Sequence, residues 1–365
     1  MSEPFNLEQY LSDGVEEIVK KIKRASLSNP KESLFLVKYG LASKKASVLR
    51  SVAEDYGEHV PPFLIASITS ECNLHCTGCY ARANHVCSDG EGAGQLSDQE
   101  WRRVFREASE LGISFILLAG GEPLMRRRVI EEAGKVPEII FPIFTNATLI
   151  DADYIKLFDR CRNLIPVLSI EGEEIKTDER RGSGVYDRVM QSAGILKENG
   201  ILFGASVTVT TANIRNVTSR PFLDELYRKG CKAVFYVEYI PAAEGTADLA
   251  PGSEERTYLQ ERLQEIRSIF KDIILISFPG DEQHSQGCLA AGRGFFHINP
   301  HGDAEACPFS PYSDSNVRKT SLRQALRSKL FRSLREEHYL EEDHGGGCVL
   351  FEQREKVRLL AQNGE

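Results

Sequence analysis

Apolar residues recur along this chain with two different periods, and the change from one to the other divides it. Over residues 6–23, Leu7, Leu11, Val15, Ile18, Val19 and Ile22 fall at helical spacing, and residues 44–56 predict a second helix. Pro61 and Pro62 stop that pattern, because proline fixes φ and keeps the residue before it out of the helical region. From Phe63 onward, short continuous apolar runs alternate with amphipathic stretches. The runs at 64–70, 113–119, 139–144, 165–170, 201–210 and 233–240 predict strands. Between them lie predicted helices at 97–111, 123–133, 151–161, 186–199 and 222–228. The first is opened by the capping box Ser97-Asp98-Gln99-Glu100 and stopped by Gly112.

Six units of strand then helix, with strands that are apolar throughout, predict an α/β fold with a parallel sheet covered by helices. Right-handed crossovers curl such a series toward a partial (β/α)6, TIM-like barrel, with chemistry at the carboxyl ends of the strands. A charged helix at 254–270 follows, and the pattern changes again near Phe278-Pro279-Gly280. Residues 294–299 and 304–307, joined by the turn Pro300-His301-Gly302-Asp303, predict a hairpin, and 321–338 an amphipathic helix. The chain thus divides into a helical region at 1–60, a barrel at 61–278 and a small α+β unit at 279–365.

Over 365 residues the net charge is −8 with no basic block, which argues against binding along a nucleic-acid backbone. The apolar runs are too short to span a bilayer, and Glu3 and Glu8 do not suit a signal peptide. A cytoplasmic location is expected. In a reducing compartment, nine cysteines in a chain of this length point to metal or redox chemistry rather than a disulfide framework.

Cys72, Cys76 and Cys79 form a CxxxCxxC cluster directly after the first strand. Three thiolates on one loop hold a four-iron cluster with one iron open, the reading preferred over a closed zinc site. For zinc the local text offers only His75 or Cys87 as a fourth ligand; a set of buried free cysteines is the other alternative. Polar groups follow the other strand ends: Gly120-Gly121-Glu122-Pro123 after the second, Thr145-Asn146 after the third, and Ser169 with Glu171 at the fourth.

On these residues the sequence resembles the radical S-adenosylmethionine (SAM) superfamily, over about residues 63–275 and into the tail. The resemblance implies a partial barrel, a [4Fe-4S] cluster on Cys72, Cys76 and Cys79, and SAM bound through its amino and carboxylate groups to the open iron. It further implies reductive cleavage of SAM to a 5′-deoxyadenosyl radical that removes hydrogen from a substrate, with electrons from a low-potential donor such as flavodoxin or ferredoxin. Gly120, Gly121, Glu122 and Pro123 match the family's GGEP element, and Tyr80 stands where the family often sets a residue against the adenine. Thr145 and Asn146 resemble Thr-Asn-Gly with Ala147 in the glycine position. Ser169 and Glu171 resemble Ser-x-Asp-Gly, and Arg180 or Arg181 meets the cofactor's polar groups. Ser206 and Thr208, on the fifth strand, line the cavity in this reading.

Cys288 and Cys307, spaced through Gly302, with Cys307-Pro308-Phe309, resemble the opening of SPASM and Twitch modules, and Cys348 is the one further cysteine of the tail. The resemblance implies a Twitch-like unit holding a second, auxiliary [4Fe-4S] cluster for electron transfer or substrate binding, with His344, water or substrate as its fourth ligand. Glu238, a charge inside an apolar strand, is the expected catalytic, substrate-handling carboxylate. The expected substrate is a peptide, as in ribosomal-peptide maturases, or a tetrapyrrole or other small molecule. A non-catalytic iron–sulfur electron carrier is the reading from a different class.

Overall fold

The computed structural model describes residues 7, 9–14, 16, 20, 30–84, 86–87, 89, 92–285, 287–337, 339–340 and 347–362, with the side chains of 283 and 284 set aside. Half of the helix expected at 6–23, and His344, lie outside these residues. Helix α1 spans Pro30–Asp55 and begins well before the expected residue 44. Its length was hidden because Leu34, Val37, Leu41 and Val48 are exposed, which erases the contrast between an apolar and a polar face.

Seven parallel strands follow: β1 (Phe63–Thr69), β2 (Phe115–Gly120), β3 (Phe141–Thr145), β4 (Leu164–Ser169), β5 (Gly204–Val209), β6 (Ala233–Glu238) and β7 (Ile274–Phe278). The crossover helices are α2 (Asp98–Leu111), α3 (Arg127–Gly134), α4 (Ala152–Arg160), α5 (Glu174–Arg181), α6 (Val185–Glu198), α7 (Arg220–Lys229) and α8 (Ser253–Ile269). Sequential neighbours pair from β1 through β7, so the sheet curls into an unclosed barrel with no reversal of order. β7 is a seventh strand beyond the six expected units. The capping box at Ser97 and the left-handed Gly112 (φ 89°) bound α2 as anticipated.

Alternation along the strands sorts their residues. Leu64, Ala66 and Ile68 pack outward with Trp101, Val104 and Phe105 of α2 in the main core, while Ser67 and Thr69 take the opposite face of β1. Phe144 and Phe235 meet edge to face, with ring centroids 5.3 Å apart. Helix α1 covers the amino-terminal end of the barrel. Tyr39 is fully buried with Phe115, Ile140 and Ile165 at the starts of strands, and its hydroxyl donates to Ser114 O at 3.0 Å. That end is stoppered, so an opening belongs at the carboxyl ends.

The expected hairpin forms from β8 (His297–Ile298) and β9 (Ala304–Glu305), antiparallel. β8 also pairs parallel with β1, through Ile65 with His297 and Ala66 with Ile298, so the tail extends the barrel sheet to nine strands. Buried side chains reinforce the join: Ser67 Oγ lies 2.7 Å from His297 Nε2, and His297 Nδ1 lies 2.7 Å from Glu305 Oε2. The helix expected at 321–338 is two, α9 (Leu322–Leu326) and α10 (Lys329–Glu336). Ser328 caps the second, accepting from Phe331 N, while Asp314 accepts from Leu330 N. A serine that offers the backbone an alternative bond breaks the run where hydrophobic periodicity continues. The final helix, α11, is Arg354–Gln362.

Candidate active site

The loop after β1 carries Cys72, Cys76 and Cys79, and backbone contact fixes it from several sides. Gly121 N donates to Thr69 O and Glu122 N to Glu71 O, which lays the turn after β2 directly on the exit of β1. A Cβ on Gly121 would stand 2.0 Å from Glu71 O, and one on Gly120 (φ 115°) 2.3 Å from Thr69 O. Only glycine fits that approach. Thr77 N donates to Arg180 O, and Arg82, one turn after the last cysteine, donates to Leu74 O at 2.9 Å and to Asp89 at 2.8 Å.

Glu122 is buried and turned inward, where it accepts from Leu124 N (2.9 Å), Thr145 Oγ1 (2.7 Å) and Asn146 N (2.7 Å). It therefore ties the ends of β2 and β3 together. Asn146 continues the link, donating to Asn73 on the cysteine loop at 2.8 Å. Ala147, in the position the resemblance gives to glycine, is buried with φ at 65°. Pro123 starts the single turn that leads into α3.

Glu171, at the end of β4, is 1% exposed. Its Oε1 accepts from Arg180 Nη1 at 2.6 Å and Arg181 Nε at 2.9 Å, and its Oε2 from Thr208 N at 2.9 Å. Arg181 Nη1 in turn reaches Cys76 Sγ at 4.0 Å. The extra methylene of Glu171 thus has a use, since it presents one carboxylate to both guanidinium groups, and Arg181 delivers the charge to the thiol loop. Asn213 fastens the same corner, donating to Glu171 O and Thr208 O. Ser169 and Ser206 are register partners on neighbouring strands.

Burial raises the Cys76 thiol above its ordinary pKa, and the Arg181 and Arg180 charges oppose that rise. Cys72 shares a hydrogen bond with Cys87, which together with burial pushes its thiol up. His75 instead faces Asp89 at 3.0 Å and is well exposed. Gly78 (φ 67°) lies under Tyr239, whose hydroxyl would stand 2.4 Å from a Cβ there, so the loop is sandwiched against the end of β6.

The second cysteine group also meets. Cys288, Cys307 and Cys348 line one recess, partly open to solvent, with Glu238, Phe278, Glu282 and Phe309. Burial raises all three thiols, Cys348 to about 11. Burial pushes the Glu282 carboxyl up to about 8, although it accepts from the Leu289 backbone and shares a hydrogen bond with Cys288. Its Oε1 has no hydrogen-bond partner. Glu238 lies on the face of β6 shared with Tyr236 and is bonded to Arg256 of α8 at 2.9 Å. It stands at this recess. Tyr80, next to Cys79, meets Phe309, two residues past Cys307, edge to face at 5.0 Å, so one aromatic pair spans the interval between the two sites.

Both donor sets fit an iron–sulfur cluster. Among the described residues no three His, Cys, Asp or Glu side chains converge tightly enough to share a single ion. A cube needs its thiolates at separate corners. At the first site the glycine cradle and the Arg181 charge complete the fit, and at the second an orphaned buried carboxylate oxygen does. Arg82, Arg126 and Glu282 were not singled out from sequence. Arg82 had a usable signal, a cation one helical turn beyond the last cysteine. Arg126, which donates to Leu96 O and Ile68 O behind the loop, had none.

Residues 66–226 match the family model described as the radical SAM superfamily. The chain is 28% identical over 213 residues to Fe-coproporphyrin III synthase of Methanosarcina barkeri, covering 58% of this chain and 51% of that protein. It thus spans about half the length of that relative. To the AdoMet-dependent heme synthase of the same organism it is 24% identical over 336 residues, 83% of this chain and 94% of that one. To PqqA peptide cyclase of Granulibacter bethesdensis it is 24% identical, covering 68% of each. Among solved structures, Streptococcus suis SuiB superposes with a TM-score of 0.64 at 16% identity, over 80% of this chain and 71% of that one. The structure of anSMEcpe with bound AdoMet gives 0.59 at 16%, over 83% and 97%.

Proposed function

The chain is a radical SAM superfamily enzyme, with the family's domain at residues 66–226, and we propose that it is an oxidoreductase or maturase acting at the Cys72, Cys76 and Cys79 loop. Membership implies a [4Fe-4S] cluster and SAM. When bound, the cluster supplies the electron that splits SAM into methionine and a 5′-deoxyadenosyl radical, which takes hydrogen from the substrate. The protein's part is to hold, orient and shield. Cys72, Cys76 and Cys79 are the residues that would hold the cluster, with SAM beside it. Arg181, oriented by Glu171, offers a guanidinium to a carboxylate beside Cys76. Gly120 and Gly121 keep the turn low enough for the loop to seat, while Glu122, Thr145 and Asn146 rigidify that wall. Ser169, Ser206 and Thr208 line the cavity, and Tyr80 closes it toward the second site.

The observation that carries this reading is the arrival of the thiol loop, the Gly-Gly-Glu-Pro turn and Arg181 at the same end of a barrel whose other end is stoppered by α1. Cys288, Cys307 and Cys348 hold an auxiliary [4Fe-4S] cluster in this proposal, and their shared recess supports it. The substrate is assigned to the tetrapyrrole class, because the match to the heme synthase runs over 94% of that protein. A peptide is the second reading, favoured by the PqqA peptide cyclase match. A flavodoxin or ferredoxin is proposed as electron donor. Among the described residues, no helix is long and apolar enough to cross a membrane, and a cytoplasmic location is part of the proposal.

Anaerobic reconstitution tests it. Iron and sulfide of about eight each per chain are expected, against about four for a single cluster. Dithionite and SAM should then release 5′-deoxyadenosine. An electron carrier releases none, and that result would overturn the enzyme reading. Turnover of a tetrapyrrole rather than of a peptide distinguishes the substrate classes.

A further inference from the structure

Three thiolates at the second recess leave one corner of a cube without a protein sulfur. We propose that Glu282 supplies that ligand through its carboxylate, closing the auxiliary cluster entirely with protein donors. The inference deepens the auxiliary-cluster reading and rests on it. Glu282 sits in the short helical segment Gly280–Ser285, between β7 and Cys288, and lines the recess with Cys288, Cys307 and Cys348. Its residue exposure is 8%, so the carboxylate cannot be a solvated bystander.

Burying a carboxylate without partners is costly, and native proteins pair such groups. Glu282 is only half provided for: the Leu289 backbone and Cys288 serve the carboxyl, while Oε1 is left with no hydrogen bond. An unpartnered oxygen held among three thiols is what a fourth donor looks like before its metal arrives. Local structure also holds it there. Glu282 N donates to Pro279 O, and Ser285 Oγ donates to Glu282 O, so the backbone at Glu282 is fixed on both sides. The other acid of the recess, Glu238, is engaged by Arg256. Carboxylate oxygen is a harder donor than thiolate, so the iron it binds differs electronically from the other three. A cluster with all four corners taken by the protein has no vacant iron for substrate. The auxiliary site is therefore an electron-transfer centre, and the Tyr80–Phe309 pair lies on the side facing the first thiol loop.

The test uses the full chain carrying Cys72→Ala, Cys76→Ala and Cys79→Ala, so that only the second centre is loaded with ⁵⁷Fe. About four irons per chain are expected, with one of the four distinct by Mössbauer spectroscopy. Adding Glu282→Cys should abolish that distinction, giving four equivalent thiolate-bound sites. Adding Glu282→Ala should open the site, so that the reduced-state electron paramagnetic resonance signal shifts with imidazole or cyanide, whereas the parent signal does not. A parent signal that already shifts with these ligands, or a distinct iron that persists in Glu282→Cys, overturns the ligand assignment while leaving the auxiliary cluster intact. A parent that binds no iron overturns the auxiliary cluster itself, and the ligand with it. Glu282→Cys, which keeps a small buried donor, serves as the deciding variant should Glu282→Ala fail to fold by circular dichroism.

Discussion

Glu171→Gln probes the corner that carries charge to the thiol loop without changing its shape. In the native side chain, one oxygen serves Arg180 and Arg181 and the other serves the Thr208 amide. Glutamine has a single acceptor oxygen. If that oxygen keeps the arginines, its NH2 group faces the Thr208 N–H and leaves a buried donor unpaired, a loss of about 1–3 kcal/mol. In addition, three hydrogen bonds between opposite charges, one from Arg180 and two from Arg181, become bonds to a neutral amide. Bonds involving a charged group contribute about 1.5–3 kcal/mol and neutral ones about half that, so the set loses about 2–4 kcal/mol more. Little is recovered from solvent, because the side chains of Glu171, Arg181 and Arg180 are only 1%, 10% and 17% exposed. The expected destabilisation is about 3–7 kcal/mol in anaerobic urea denaturation of the reconstituted enzyme. A second readout separates position from mere stability. Arg181, no longer clamped, should raise the KM for SAM at least tenfold in 5′-deoxyadenosine release, with a smaller change in kcat. Glu171→Asp, which keeps the charge but shortens the reach to the two guanidinium groups and the Thr208 amide, should recover only part of the stability. Unfolding within about 0.5 kcal/mol of the parent, together with an unchanged KM, would refute the reasoning.

Three further outcomes follow from the same geometry. Gly121→Ala should abolish SAM-dependent change in the cluster signal, since a methyl group 2.0 Å from Glu71 O forces the thiol loop away from its seat; a normal response would mean the loop tolerates displacement. Ala147→Gly should stabilise the protein by about 1 kcal/mol in thermal or urea unfolding, because glycine adopts a positive φ without the Cβ penalty. A loss of stability there would show that the methyl group's packing outweighs the strain. Cys87→Ser should leave iron content and 5′-deoxyadenosine release within twofold of the parent. Loss of the first cluster would make Cys87, hydrogen-bonded to Cys72, a ligand in its own right.

Much of this architecture could be read in the chain because its strands are buried on both faces, so their apolar runs stand out from the helices between them. The thiol loop and the Gly-Gly-Glu-Pro turn were equally legible, since spacing alone brings Cys72, Cys76 and Cys79 together at a strand end. What escaped depends on contacts between distant segments. The inward turn of Glu122 toward Thr145 and Asn146, and the division of Glu171 between two arginines and a backbone amide, need the third dimension. Glu238 stood out as a charge in an apolar strand, but its ion pair with Arg256 joins it to a helix that the strand pattern does not place beside it. Glu282 lies in a short polar segment that reads as an ordinary turn, and only burial among three cysteines distinguishes it.

The pairing of β8 with β1 bears on how this polypeptide avoids sticking to its neighbours. An unclosed barrel leaves its first strand with a row of bare amide and carbonyl groups, a template for another molecule's strand. Here Ile65 N is taken up by Phe296 O and Phe63 N by Gly294 O. The tail is therefore a hem sewn onto the raw border of the sheet, and cutting the chain before it would unravel solubility along with whatever the second set of thiols does.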